Sequence, residues 1–531
     1  MPSAPIEQSS EWWELASHQA QIADVPLRQL FADDPARGER FAFITDGMYF
    51  DYSKQRVTAE TFNKLFALAR RANLESAIDE LFAGKNVNVT ENRPALHMAL
   101  RAAANDSFPA AGINVVPAVL DVIAQMTAFA NDVRNGNRVG ATGEKFSTIV
   151  NIGIGGSELG PKLVIEALEP IASDDIEFRF LSSVDSDQFA AVTKGLNPAT
   201  TLFIISSKSF TTAETMRNAR TARNWISAQL GDRAVADHFV AVSTSAAAVE
   251  EFGIKEDLYF PFWDWVGGRF SVASAIGLSV MIAIGPERFG EFLAGMRAMD
   301  SHFHSAPLEK NAPVLLAMLG IWNSNFMGAT SFAMLPYSYR LRSFPAYLQQ
   351  LSMESLGKST SAEGQVVGMQ TGDIVWGAVG TDAQHSFFQL LHQGTRFIPS
   401  DFIGLLEPAV RIGEHHDELI ANLFAQSEAL AFGRDVDGDA ETNGRQIVGN
   451  KPSTTILLPE LSPFTLGQLI ALYEHKTYVQ SVIWGVNAFD QFGVELGKKL
   501  AAQILQELTD PDVIRPHDSS TSLLIAHYKN R

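Results

Sequence analysis

One carboxylate stands in the stretch FPAYLQQLSMESLGKS, Phe344 to Ser359, among residues that are nearly all apolar or uncharged. Pro345 and Gly357 punctuate a helix between them. On that helix Glu354 falls in the last turn and shares a face with Tyr347, Gln350 and Leu351. The helix dipole disfavours negative charge there. An acid so placed is either a structural residue paired with a cation or a group that carries protons.

Two turns supply a different chemistry. In NIGIGGSELG, straight after an apolar run, Gly153, Gly155 and Gly156 let the backbone approach a ligand, and its N–H groups can cradle an anion. Glu158 stands where a dinucleotide fingerprint needs its third glycine, so that motif is excluded. The plain alternative is a tight strand-to-helix turn. In SSKSFTTAET, Thr211 and Glu214 have capping-box spacing and predict a helix start. Ser207, Lys208, Ser209 and Thr212 add hydroxyls and a cation at its positive end, the combination that holds a phosphate monoester. The alternative there is a well-capped helix with a surface lysine. The Walker pattern is absent.

Arg269, in VGGRFS, follows two glycines and could hold an oxyanion, or simply form a surface salt bridge. His385 follows a Gly/Asp turn at an expected helix start, where a histidine can shuttle protons at neutral pH. Lys498 and Gln491, in FDQFGVELGKKL, are uninformative alone. His415 and His416 read as solvated. DVDGDAETNGRQ mimics a calcium loop but has Ala440 and Gln446 at two key positions, so it supports no metal site.

These residues need elements to position them. Residues 1 to about 120 read as helical from their 3.6-residue periodicity. From Phe146, short β-rich runs (FSTIVNIGI, IEFRFLSS, TLFIISS, DHFVAVST) alternate with helical stretches, and a second such series follows Asn311. Alternating strands and helices imply parallel sheets covered on both faces. The two glycine- and serine-rich turns then lie at carboxyl ends of strands in one sheet, where α/β proteins bind ligands. The stretch from Thr465 to Leu508 reads as helical.

The 531 residues carry no cysteine and a net charge of −19. Thiolate nucleophiles, disulfides and Cys-ligated metals are excluded, and a global basic footprint for nucleic acid or anionic membrane is missing. The N-terminal residues lack signal-peptide character, and the apolar run VASAIGLSVMIAIG fits a buried helix better than a membrane span. A cytoplasmic protein is expected.

Taken together the segments resemble the glucose-6-phosphate isomerase family. NIGIGGSELGP, SSKSFTTAET, VGGRFS, FPAYLQQLSMESLGKS, GTDAQHSFFQLLHQGT and FDQFGVELGKKL occur in the family's order, with TENRPALHMALR before them and HDSSTSLLI after. The resemblance implies an α/β fold of two sugar-isomerase-type (SIS) domains, 121–285 and 286–510, with a helical extension over 1–120 that packs on the second domain and a tail over 511–531. It implies interconversion of glucose 6-phosphate and fructose 6-phosphate by a homodimer, with no metal or organic cofactor. On the matching positions Glu354 is the base and Arg269 the oxyanion stabiliser. His385, reaching the site from the other subunit, and Lys498 open the ring. Gly156, Ser157, Ser207, Lys208, Ser209, Thr211 and Thr212 hold phosphate, and Gln350 and Gln491 position substrate. Leu356, Ala378, Lys451 and the segment WGVNAFDQ depart from the family pattern without touching a proposed catalytic group. Three rival readings stand beside this one. A dual isomerase also acting on mannose 6-phosphate depends on pocket detail. A non-catalytic phosphosugar regulator has no use for Glu354 and Arg269. A glutamine-dependent amino-sugar synthase requires an absent cysteine.

Overall fold

The computed structural model describes residues 5–434 and 444–531; positions 435–443 of the calcium-loop mimic, Ala440 included, lie outside these residues. Two compact units result, Met1–Ala488 and Phe489–Arg531.

The first unit contains two sheets. One has five parallel strands in the order Glu177–Leu181, Thr148–Ile152, Thr201–Ser206, Phe239–Ser243, Tyr259–Pro261. Every residue of its three inner strands is buried. An alternating pattern would leave one face wet, so continuous burial means both faces are covered. The chain runs from the Thr148–Ile152 strand outward to one neighbour and then returns to the other. That reversal opens a crevice at the strand ends.

The second sheet has six strands in the order Ala42–Thr45, Met48–Asp51, Ser453–Leu458, Ser400–Leu405, Ser331–Pro336, Ile374–Gly377. Its four later strands are parallel. The other two form a hairpin that adds antiparallel to Ser453–Leu458. The first 120 residues are therefore not helical throughout: their hairpin completes a sheet formed about 400 residues later, a pairing that local periodicity does not report.

Two long helices, Pro286–Ser305 and Pro463–Trp484, pack against each other. The second begins with a capping box between Ser462 and Thr465 and stops at Gly485, whose φ of +63° no β-substituted residue adopts cheaply. All but two of its residues are buried. The expected continuous C-terminal helix is thus broken at Gly485. The apolar run after Ser271 forms a short turn and the buried helix Leu278–Ile284. Among the described residues no helix is long and apolar enough to cross a membrane.

The second unit has two helices, Glu495–Thr509 and Ser519–Lys529. Asp518 caps the latter by accepting from the N–H groups of Ser520 and Thr521. His517 reaches back to Glu507 at 3.0 Å, and the Lys529 ammonium donates to the Glu507 carbonyl.

Candidate active site

The Phe344–Leu348 segment starts as an α-helix with Pro345 in its first turn, then widens to a π-turn over Gln349–Glu354. Wide turns of this kind are rare and cluster at functional sites. Gly357 follows the last turn as its residue type predicts. The widened turn splits the expected shared face: Tyr347 and Leu351 are buried, whereas Gln350 and Glu354 are half-buried and meet, with the Gln350 amide donating to Glu354 Oε2 at 3.2 Å.

Glu354 is paired with a cation, and that cation is Arg269. Arg269 Nη1 lies 3.2 Å from Glu354 Oε2, with side chains 1% and 23% exposed respectively. The guanidinium is not at the surface. It also donates through Nε to Ser355 Oγ at 2.6 Å and through Nη2 to the Ala488 carbonyl. Glu354 Oε1 has no partner among the described residues. The apolar seat expected from neighbouring residue types is absent, because the π-turn aims the carboxylate at polar groups.

The glycine turn explains how this pair meets the sheet. It follows the Thr148–Ile152 strand and opens the Gly156–Ala167 helix. A Cβ on Gly156 would lie 2.0 Å from the Gly268 carbonyl oxygen, and one on Gly155 would lie 2.8 Å from Gln350 Nε2. Gly155 also sits at φ +61°. Only glycines allow the turn, the arginine loop and Gln350 to approach so closely. Ser157 lies half-buried in the first turn of the helix, and Asn151 fixes it by donating to its carbonyl at 3.0 Å.

The second turn leaves the adjacent Thr201–Ser206 strand, so both turns stand side by side in one crevice. The helix starts at Ala213 with Thr212 as N-cap and no side-chain cap bond. The expected Thr211 capping box is absent because Phe210, buried at φ +55°, turns the chain first. A bulky residue held there costs roughly 1–3 kcal/mol, strain of the kind that collects at ligand clamps. The hydroxyls pair across the loop instead: Ser209 with Thr211 at 2.7 Å, and Ser207 with Thr212 at 3.3 Å.

Lys208 is no ordinary surface lysine. Its ammonium donates to the carbonyls of Asp264 and Val266, at 2.7 and 2.8 Å, just ahead of the Gly267–Arg269 turn. Burial, and then the Arg93 charge, push its pKa down to about 8.

The remaining candidates stand on other segments of the chain. His385 ends the Gly380–Gln384 helix rather than starting one. Its ring is exposed and has no partner among the described residues. Gln491 and Lys498 belong to the second unit, where Lys498 is exposed on the Glu495–Thr509 helix beside an equally exposed Lys499. His415 is exposed, but His416 is buried with its ring at 3.2 Å from the Leu406 carbonyl, because the helix that begins at His415 turns that side chain inward.

Sequence reasoning missed several neighbours of the site: Ser355, the Ala488 carbonyl, and the Glu91–Arg93 ion pair whose charges act on Lys208. TENRPALHMALR carried a family likeness and WGVNAFDQ a departure from it, and nothing in their spacing pointed to these contacts; the expectation that this departure touches no catalytic group fails at the Ala488 carbonyl, which accepts from Arg269.

The model of the family described as phosphoglucose isomerase matches residues 51–525. The glucose-6-phosphate isomerase of Frankia casuarinae is 54% identical, over 99% of this chain and 98% of its own length. That of Gloeobacter violaceus is 52% identical, over 99% and 97%. The crystal structure of a glucose-6-phosphate isomerase from Chlamydia trachomatis superposes with a TM-score of 0.89 at 34% identity, covering 99% of this chain and 100% of that one.

Proposed function

The chain belongs to the phosphoglucose isomerase family, and from that premise we propose how its residues share the work. It is an aldose–ketose isomerase that interconverts glucose 6-phosphate and fructose 6-phosphate reversibly. The reaction moves one proton between C1 and C2 through an enediol, and a single carboxylate can both remove and return it. Glu354 is that carboxylate. Its unengaged Oε1 and its partial exposure support the role. Arg269, held from behind by Ser355 and Ala488, stabilises negative charge on the enediolate oxygen. Gln350 orients the substrate beside both.

The phosphate lies between the two strand-end turns, on Gly156, Ser157, Ser207, Ser209, Thr211 and Thr212, with Lys208 adding charge. Binding there is spent on orientation at the distant carbons. His385 and Lys498 exchange protons with the ring and anomeric oxygens when the sugar opens, and Gln491 positions substrate. The exposed His385 ring suits a homodimer in which this residue completes the partner's site. The five-stranded sheet and the four parallel strands of the second sheet are read as the cores of SIS-type domains over 121–285 and 286–510, the 42–51 hairpin being added by the N-terminal extension. The enzyme works in the cytoplasm, in glycolysis and gluconeogenesis.

One observation carries this reading: a partly exposed carboxylate touching a buried guanidinium, beside a glycine turn at the sheet's switch point. Incubating the purified protein with fructose 6-phosphate in deuterated water, followed by NMR, tests it. Glucose 6-phosphate carrying deuterium at C2 is expected. Mannose 6-phosphate formed alongside would mark a dual isomerase, and no product or exchange would defeat the assignment.

A further inference from the structure

A short strap leaves the buried Pro463–Trp484 helix after Gly485, and its residues Val486, Asn487 and Ala488 are themselves buried. Two consecutive carbonyls of this strap hold cations. Ala488 O accepts from Arg269 Nη2. Asn487 O accepts from Lys358 Nζ at 2.9 Å, and Lys358 follows Glu354 by four residues. The strap therefore grips both the arginine of the catalytic pair and the chain that leaves the glutamate's helix.

The Asn487 side chain anchors that strap. Its amide nitrogen donates to Asn88 Oδ1 at 2.8 Å and to Thr90 Oγ1. Asn88 in turn donates to Glu91 Oε2 at 2.6 Å, and Glu91 pairs with Arg93. Asn88 and Arg93 close this turn by mutual backbone hydrogen bonds. Only a primary amide offers two N–H donors from one compact, uncharged nitrogen to two oxygens. With 5% of its surface exposed, Asn487 has lost the water that would otherwise satisfy it, so these bonds are held.

We propose that Asn487 is a positioning residue of the isomerase reaction, fixing through the strap the guanidinium of Arg269 where negative charge develops. It touches no reacting atom. Its effect is exerted through the Ala488 carbonyl and appears where the oxyanion is present, more than in ground-state binding. The inference rests on the reading of Arg269 as the oxyanion-stabilising group.

The test compares the wild type with Asn487→Ala, Thr90→Val, Arg269→Gln and the double variant of Asn487 and Arg269. Two ligands are used: fructose 6-phosphate, and 5-phospho-D-arabinonate, whose carboxylate mimics the planar, anionic enediolate. Asn487→Ala should lower kcat and weaken the arabinonate about tenfold, with KM for fructose 6-phosphate within about twofold. Thr90→Val, at an exposed position, removes one acceptor of the Asn487 amide and should act in the same direction by about two- to threefold. In the Arg269→Gln background the Asn487 substitution should add nothing.

Equal weakening of both ligands by Thr90→Val and Asn487→Ala, or a full additional loss in the Arg269→Gln background, overturns the proposal. Should Asn487→Ala fail to fold, Thr90→Val decides alone. If Arg269→Gln leaves arabinonate affinity unchanged, the reading of Arg269 falls and the strap's role falls with it. If Arg269→Gln weakens the arabinonate while Asn487→Ala and Thr90→Val do not, the strap alone is refuted.

Discussion

Two arginines in the first unit hold carboxylates in opposite ways. Arg101 is sealed: it binds Asp300 through two bonds of 2.7 Å and Glu474 through one of 2.8 Å, with no part of the arginine or Glu474 side chain exposed. His475 closes the second side of Asp300 at 2.7 Å. Arg269 lies 3.2 Å from a carboxylate whose second oxygen is unengaged among the described residues and whose side chain is 23% exposed. A pair with no exposed side chain fixes helices against each other and cannot take a proton from a ligand, even though Glu474 Oε1 has no hydrogen-bond partner among the described residues. A pair closed on one side holds a base still while leaving it reachable. Arg101 faces two carboxylates in a low-dielectric interior. Asp300 takes the bidentate grip and is held well below the ordinary carboxylate range despite its burial, while burial pushes Glu474 up to about 7 against the pull of Arg101.

The strongest way to break this contrast is at the open pair. Glu354→Gln keeps the shape and the contact to Arg269 but removes the base. It should lower kcat by about 10²–10⁴-fold while sugar phosphate still binds and Tm stays near wild type. Steady-state kinetics and thermal melts read both halves. A variant that loses stability rather than rate would place Glu354 with the sealed cluster.

The sealed pair should respond in the reverse sense. Arg101→Met leaves two buried acids without their cation and should cost roughly 3–5 kcal/mol of stability, read by urea unfolding, with a far smaller effect on kcat per folded molecule. Glu474 sharpens the point through pH. Its folded pKa of about 7 lies above the ordinary glutamate value of 4.5, so between these values the native state binds more protons than the unfolded chain. The contribution of Glu474 to stability is therefore fully present below pH 4.5 and declines as pH rises to 7. Glu474→Gln removes this titration, so its Tm relative to wild type should climb from pH 5 to pH 8. A flat difference would mean that Glu474 is ionised throughout.

The sheet with the phosphate-type turns was legible from sequence, because its strands are continuous apolar runs and the turns carry residue types that only strand ends and helix starts require. Pro345 and Gly357 likewise marked their helix. What lay hidden is non-local. The hairpin at residues 42–51 finds its partner at 453–458. Arg101 meets Asp300 and Glu474 from segments hundreds of residues apart. The Asn487 amide meets Asn88 across a similar span. Periodicity reports which face of an element is buried, not against what. The π-turn at Gln349–Glu354 and the positive φ of Phe210 escaped for another reason: both run against local preference and persist only because the surrounding structure holds them.

The smallest effect is expected at Lys208, which stands between the two kinds of site: mostly sheltered, like Arg101, yet at the ligand crevice, like Arg269. In the fold its pKa is lowered from 10.5 to about 8 by burial first and by Arg93 second. A phosphate dianion favours the charged ammonium, so binding should be strongest below pH 8 and should take up a proton above it. KM for fructose 6-phosphate should then rise roughly three- to tenfold between pH 7 and pH 9.5 as the ammonium is lost. Lys208→Arg keeps its charge over that range, so its KM should stay level even if it starts higher because the guanidinium fits the Asp264 and Val266 carbonyls less well. Stopped assays across this pH range, with kcat followed in parallel, separate the two variants. An equal rise of KM in both would move the titration to another group and leave Lys208 as a structural clasp on the Arg269 loop, closer in kind to Arg101 than to a phosphate ligand.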